Sequence, residues 1–98
     1  MQTITPEEVK RRIDSGEKLD IVDVREDEEV AAGMIPGAIH IPLMQLPERL
    51  AEIPQRGETV LVCRSGGRSG RAYEFLQAQG LTGLKNMTGG MLAWDQED

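Results

Sequence analysis

Cys63 is the only cysteine of the chain, and its neighbours give it chemistry. It ends the apolar, β-branched run Val60-Leu61-Val62, and Arg64-Ser65-Gly66-Gly67-Arg68-Ser69 follows directly. A helical pattern begins at about Ser69 and continues through Ala72, Tyr73, Phe75 and Leu76. The thiol therefore sits where a buried strand stops and a helix begins. Such a place offers unpaired backbone N–H groups and the positive end of a helix dipole. Both favour thiolate over thiol, and comparable settings lower a cysteine pKa to about 3.5–7.5. Arg64, Arg68 and Arg71 add positive charge, and no acid falls between Val60 and Tyr73. The pattern describes an activated sulfur nucleophile in an anion cradle. The competing reading is a small buried cysteine at the end of a core strand, which is common. The glycines and arginines after it favour the chemical role. Arg71, further along the helical pattern, is expected to face solvent.

The other chemically capable residues carry weaker signals. Asp23 and Arg25 could be a general base and an anion ligand. The preferred reading is structural: Asp23 accepts backbone N–H bonds and Arg25 pairs with nearby carboxylates. His40, the only histidine, is flanked by Ile39 and Ile41 and reads as a structural residue. No Cys–His pair is evident, so backbone dipoles and arginines must activate Cys63. One cysteine and one histidine do not make a metal-ligand set, and no cofactor is expected. Met34, Met44, Met87 and Met91 read as gap-fillers or surface residues.

Composition narrows the classes. A chain of 98 residues is expected to form one domain over 1–98, with a radius of gyration of about 13 Å. With 39% apolar and 29% charged residues it can bury a modest core and is not compositionally disordered. A single cysteine excludes an internal disulfide framework and suits a reducing compartment. The N-terminal residues show no basic region followed by an apolar core, and no apolar run approaches membrane-spanning length. A soluble cytoplasmic protein without a membrane partner is expected. The net charge of −6 and only three aromatic residues, Tyr73, Phe75 and Trp94, argue against a nucleic-acid surface. On an acidic protein, a local arginine patch would focus small anions.

The elements that must position Cys63 follow in order. Gln2 to Ile4 reads as a short edge strand. Thr5-Pro6-Glu7-Glu8 is a helix start with a capping box, and Gly16 is its stop. Leu19 to Val24 reads as a buried strand, Glu26-Asp27-Glu28-Glu29 opens a short helix, and Gly33 ends it. Ala38 to Ile41 is a third strand, closed by Pro42. Leu46 to Ile53 is read as a helix. Thr59 to Val62 is a strand, a helix runs from about Ser69 to Gln79, and Leu84 to Met87 is the last strand. Gly89-Gly90 then leads into a small terminal helix. Strands apolar on both faces, alternating with helices, predict a mostly parallel α/β sheet covered on both sides. In such sheets ligands bind beyond the carboxyl ends of the strands, the rim shared by Asp23 and Cys63.

Four motifs along nearly the whole length resemble the rhodanese-like sulfurtransferase domain. They are Asp23-Val24-Arg25-Glu26, Gly33-Met34-Ile35-Pro36-Gly37-Ala38-Ile39-His40-Ile41-Pro42, Cys63 to Ser69, and Gly89-Gly90-Met91-Leu92-Ala93-Trp94. The resemblance implies a five-stranded parallel sheet with helices on both faces. It implies that Cys63 takes a sulfane sulfur from an anionic donor such as thiosulfate. The persulfide would pass its outer sulfur to cyanide, a thiol or a protein cysteine. Arg64, Ser65, Gly66, Gly67, Arg68 and Ser69 match the family's active-site loop, whose amides point at the bound sulfur. Arg64 and Arg68 would attract and orient the donor; the alternative for Arg68 is to pin the loop from within. Four residues stand between Cys63 and Arg68. Related phosphatases carry one more, which would put their arginine where Ser69 stands. The shorter ring, and the lack of an acid to protonate a leaving alkoxide, favour sulfur transfer over phosphate hydrolysis. Family members often carry His where this chain has Met34, a position outside the sulfur cradle. A second class of function is a sulfur-relay or docking module with little turnover of small molecules, serving a protein donor or acceptor.

Overall fold

In the computed structural model, which describes residues 1–96, the β-branched runs become strands and the amphipathic stretches between them become helices. In chain order these are β1 (Thr3–Ile4), α1 (Pro6–Asp14), β2 (Asp20–Asp23), α2 (Asp27–Ala31), β3 (Ile39–His40), β4 (Thr59–Val62), α3 (Gly67–Ala78), β5 (Leu84–Met87) and α4 (Gly90–Trp94). Two 3-10 segments, Leu43–Glu48 and Leu50–Glu52, lie between β3 and β4. The strands form one sheet in the order β1-β5-β4-β2-β3, with every neighbouring pair parallel. Parallel neighbours cannot be joined by tight hairpins. The connecting segments therefore cover the two faces, giving the expected α/β architecture.

Alternation along the strands sorts the core into two layers. Val22, Leu61 and Leu84 pack against Leu46, Ile53, Ala72, Tyr73 and Leu76. Ile21, Val60, Val62 and Met87 pack against Val9 of α1, Ile35 and Met91 of α4. Each fully buried Leu, Ile or Val contributes roughly 1.5–3 kcal/mol. The same alternation hands Cys63 to the layer of Leu61, beneath α3. Strand pairing and helix packing thus bring the α3 N-terminus to the sulfur.

Local boundaries shift for identifiable reasons. Thr5 caps α1, its hydroxyl accepting the Glu8 amide at 3.1 Å. The helix expected over Leu46 to Ile53 is replaced by the two 3-10 segments. Pro47, which has no N–H to donate back to residue 43, sits inside the first of them. Leu46 and Ile53 still point into the core. Helix α3 starts at Gly67, two residues before the expected position, because Gly66 adopts φ +106 and turns the chain in place.

Candidate active site

The Cys63 sulfur lies at the carboxyl end of β4, the central strand, and the residue is only 1% exposed. Burial alone would push the thiol pKa up. Donors outweigh it: the Ser69 hydroxyl and the backbone amides of Ser69, Gly66 and Ser65 draw the pKa below its ordinary value. The Gly66 amide stands 3.0 Å from Sγ and the Ser69 hydroxyl oxygen 3.3 Å from it. Ser69 is the third residue of α3, so its amide is one of the helix's unpaired first-turn donors. The helix begins early enough to aim that amide at sulfur.

Two other contacts hold the loop in this shape. Helix α4 docks its first turn on the loop's carbonyls: the Met91 amide donates to the Cys63 carbonyl at 2.8 Å and the Leu92 amide to the Arg64 carbonyl at 3.0 Å. That docking requires Gly90. Its φ is +56, and a Cβ there would lie 2.5 Å from both carbonyl oxygens. Arg68 also forks onto Glu29 of α2, Nη1 to Oε1 at 2.7 Å and Nη2 to Oε2 at 2.8 Å. This pair holds the Glu29 carboxyl at about 2 and raises the Arg68 guanidinium, to which the Cys63 charge adds a smaller share.

The remaining sequence candidates take these places. Arg64 and Ser65 are exposed beside the sulfur, and Arg64 has no ion-pair partner among the described residues. Gly67 opens α3 with free space around its Cα. Asp23 is fully buried and grips Arg25 through Nε at 3.0 Å and Nη2 at 2.9 Å, and also accepts the Arg25 amide at 3.0 Å. Arg25 Nη2 donates on to the Gly33 carbonyl at 2.8 Å, tying β2 to the end of α2. His40 Nε2 meets the Arg25 carbonyl at 2.7 Å. These three side chains are occupied in shaping the rim. Met34 lines a cavity of about 220 Å³ with Arg25, Glu29, Met91 and Trp94.

A family model for the rhodanese-like domain matches residues 5–97. The chain belongs to the rhodanese-like domain family. A protein named sulfurtransferase from Allochromatium vinosum is 40% identical over 91 residues, which are 93% of this chain and 85% of that protein. The crystal structure of a rhodanese-like domain protein from Staphylococcus aureus is 39% identical, with a TM-score of 0.89, covering 96% of this chain and 91% of that one. The human single-domain sulfurtransferase TSTD1 gives a TM-score of 0.85 at 29% identity, covering 100% and 98% of the two chains.

Within this rhodanese-like frame, three contributors to the site escaped the sequence reading. Glu29, placed only in the opening turn of α2, turns out to be the partner of Arg68. Asn86 touches the Ser69 hydroxyl from β5. The Gly89-Gly90 pair, quoted only as a motif, lets α4 take up the loop carbonyls. A polar residue on the inward register of an otherwise apolar strand was the available signal for Asn86. For Glu29, 39 positions from Arg68, no local signal existed.

Proposed function

We propose that this chain is a sulfurtransferase in which Cys63 carries the moving sulfur as a persulfide. The convergence of three amides and one hydroxyl on the Cys63 sulfur supports the reading most strongly. The thiolate attacks the sulfane sulfur of a donor such as thiosulfate. A new S–S bond forms, and the bond to the donor's remainder breaks with its electron pair, releasing sulfite. The negative charge moves to the outer sulfur. An acceptor nucleophile, such as cyanide, a thiolate or a protein cysteine, then attacks that outer sulfur, and the S–S electron pair returns to Cys63. The amides of Ser65, Gly66 and Ser69 are fixed before reaction, so charge at the sulfur is met without reorganisation.

Arg64 is the free cation of the loop in this scheme, and it draws the anionic donor towards the rim. Arg68 takes the other role considered for it. With both terminal nitrogens on Glu29, it pins the loop to α2 and lends its positive charge to Cys63 at longer range. The open face at Gly67, with nothing within 4 Å of its Cβ position, suits the approach of a donor's terminal sulfur. The relatives named sulfurtransferase point the same way. The decisive measurement is intact mass after thiosulfate treatment at neutral pH. The wild-type chain gains one sulfur atom, and the Cys63→Ser chain gains none. An unchanged mass for the wild type would exclude the proposal.

A further inference from the structure

Behind Ser69 stands a residue that the scheme above does not use. Asn86 lies on β5, in register with Leu61 of β4, and is buried. Its Nδ2 donates to the Gly66 carbonyl at 3.2 Å and to the Met1 sulfur at 3.5 Å. With both N–H groups so directed, Oδ1 must face Ser69, whose hydroxyl oxygen lies 2.5 Å away.

Ser69 has one hydroxyl proton and three acceptors near it: Asn86 Oδ1, the Gly66 carbonyl at 3.2 Å, and Cys63 Sγ at 3.3 Å. The Gly66 carbonyl already accepts the Gly70 amide at 3.1 Å and Asn86 Nδ2, which occupies both its lone pairs. The proton therefore chooses between amide oxygen and sulfur. Neutral sulfur is the weaker acceptor and loses to Oδ1. A thiolate forms a charge-assisted bond and wins.

We propose that Asn86 is a positioning residue that parks the Ser69 hydroxyl proton while the Cys63 sulfur is uncharged and releases it when charge returns. The movement is a rotation about the Ser69 Cβ–Oγ bond, with no covalent bond broken. In the thiol form, S–H donates to Ser69 Oγ and Ser69 donates to Asn86. In the persulfide, Sγ is bonded to carbon and sulfur, the charge sits on the outer atom, and the proton is parked again. Asn86 thus favours both thiol and persulfide over thiolate by a common factor. The persulfide half rests on the sulfur-transfer proposal; the thiol half does not.

The test is the pH dependence of Cys63 alkylation by iodoacetamide in the full chain, with circular dichroism reporting the fold of each variant. Arg68, held by Glu29, is the charged group acting on the sulfur and is the same in every variant. Asn86→Leu removes the Oδ1 acceptor and leaves only the Gly66 carbonyl, a longer contact with one lone pair freed, so thiolate gains about three- to fivefold and the pH of half-reaction falls by about 0.5–0.7. Asn86→Asp strengthens the acceptor and adds negative charge, so that pH rises. In a Ser69→Ala background, Asn86→Leu moves it by less than about twofold in thiolate content. An unchanged or raised value for Asn86→Leu, or an equal fall in the Ser69→Ala background, overturns the proposal. If Asn86→Leu does not fold, an Asn86→Asp value that fails to rise overturns it instead. In a second arm, the persulfide-to-thiolate ratio at fixed thiosulfate and sulfite is read by intact mass, and it falls by the same factor, about three- to fivefold, in Asn86→Leu. A wild type that forms no persulfide but keeps the alkylation order refutes sulfur transfer and leaves the Asn86 role standing. A wild type that forms persulfide without that order refutes Asn86 alone.

Discussion

Gly90→Ala is expected to destabilise the protein through the Cys63–Ser69 loop although it changes no residue of that loop. The added Cβ would sit 2.5 Å from the Cys63 and Arg64 carbonyl oxygens, on a backbone at φ +56. Holding a side chain in the left-handed region costs roughly 1–2 kcal/mol. Relieving the clash by moving α4 away breaks the Met91 and Leu92 amide bonds to those carbonyls, at about 1 kcal/mol net each. The sum is about 3–4 kcal/mol, a large part of the roughly 5–15 kcal/mol available to a small domain. For a chain of this length each kcal/mol moves Tm by about 4–8 °C, so a fall of about 12–30 °C is expected. Thermal unfolding followed by circular dichroism measures it. Gly67→Ala is the internal control. Gly67 opens α3 with nothing within 4 Å of the Cβ position and has no positive φ. That substitution is expected to stabilise by about 0.4–1 kcal/mol. A Gly90→Ala chain melting within about 5 °C of wild type, or a Gly67→Ala chain falling as far as Gly90→Ala, would refute the account of how the loop is held.

Ser69→Ala removes the hydroxyl donor at sulfur and is expected to raise the pH of half-alkylation by about one pH unit, read from the same iodoacetamide profile. Arg68→Gln is expected to cost about 1 kcal/mol near neutral pH, since the pair it breaks is partly exposed. Glu29 titrates at about 2 when folded against 4.5 ordinarily. Its share of stability is therefore complete above pH 4.5 and fades as pH falls towards 2. Urea midpoints should show the wild-type advantage over Arg68→Gln shrinking across that window; a constant gap refutes the pairing. Thr5→Ala removes the α1 cap and is expected to lower stability by about 1 kcal/mol in the same urea assay, leaving the alkylation profile of Cys63 unmoved.

The parts of this molecule that were legible in sequence are those whose physics is local. Val60-Leu61-Val62 could be read as a buried parallel strand because no polar residue interrupts it. The glycines after Cys63 announced a turn into a helix, although the left-handed Gly66 starts that helix sooner than its apolar spacing implied. Pro47 was visible in sequence and should have counted against a regular helix over Leu46 to Ile53. The Arg68–Glu29 fork, the Asn86–Ser69 contact and the docking of α4 on the loop carbonyls are tertiary. They join residues far apart in the chain, and only the register of the sheet brings them together.

The strand that bears Cys63 occupies the middle of the sheet, flanked by β2 and β5, while two-residue strands form both margins. Opening that starts at either margin has to cross another strand before it reaches β4. In native-state hydrogen exchange, the amides of Val60 to Val62 should therefore be among the last to exchange, well after those of β1 and β3. Cys63 would then ride on the slowest-opening unit of the protein, so that peripheral breathing proceeds while its sulfur and the donors around it stay aligned.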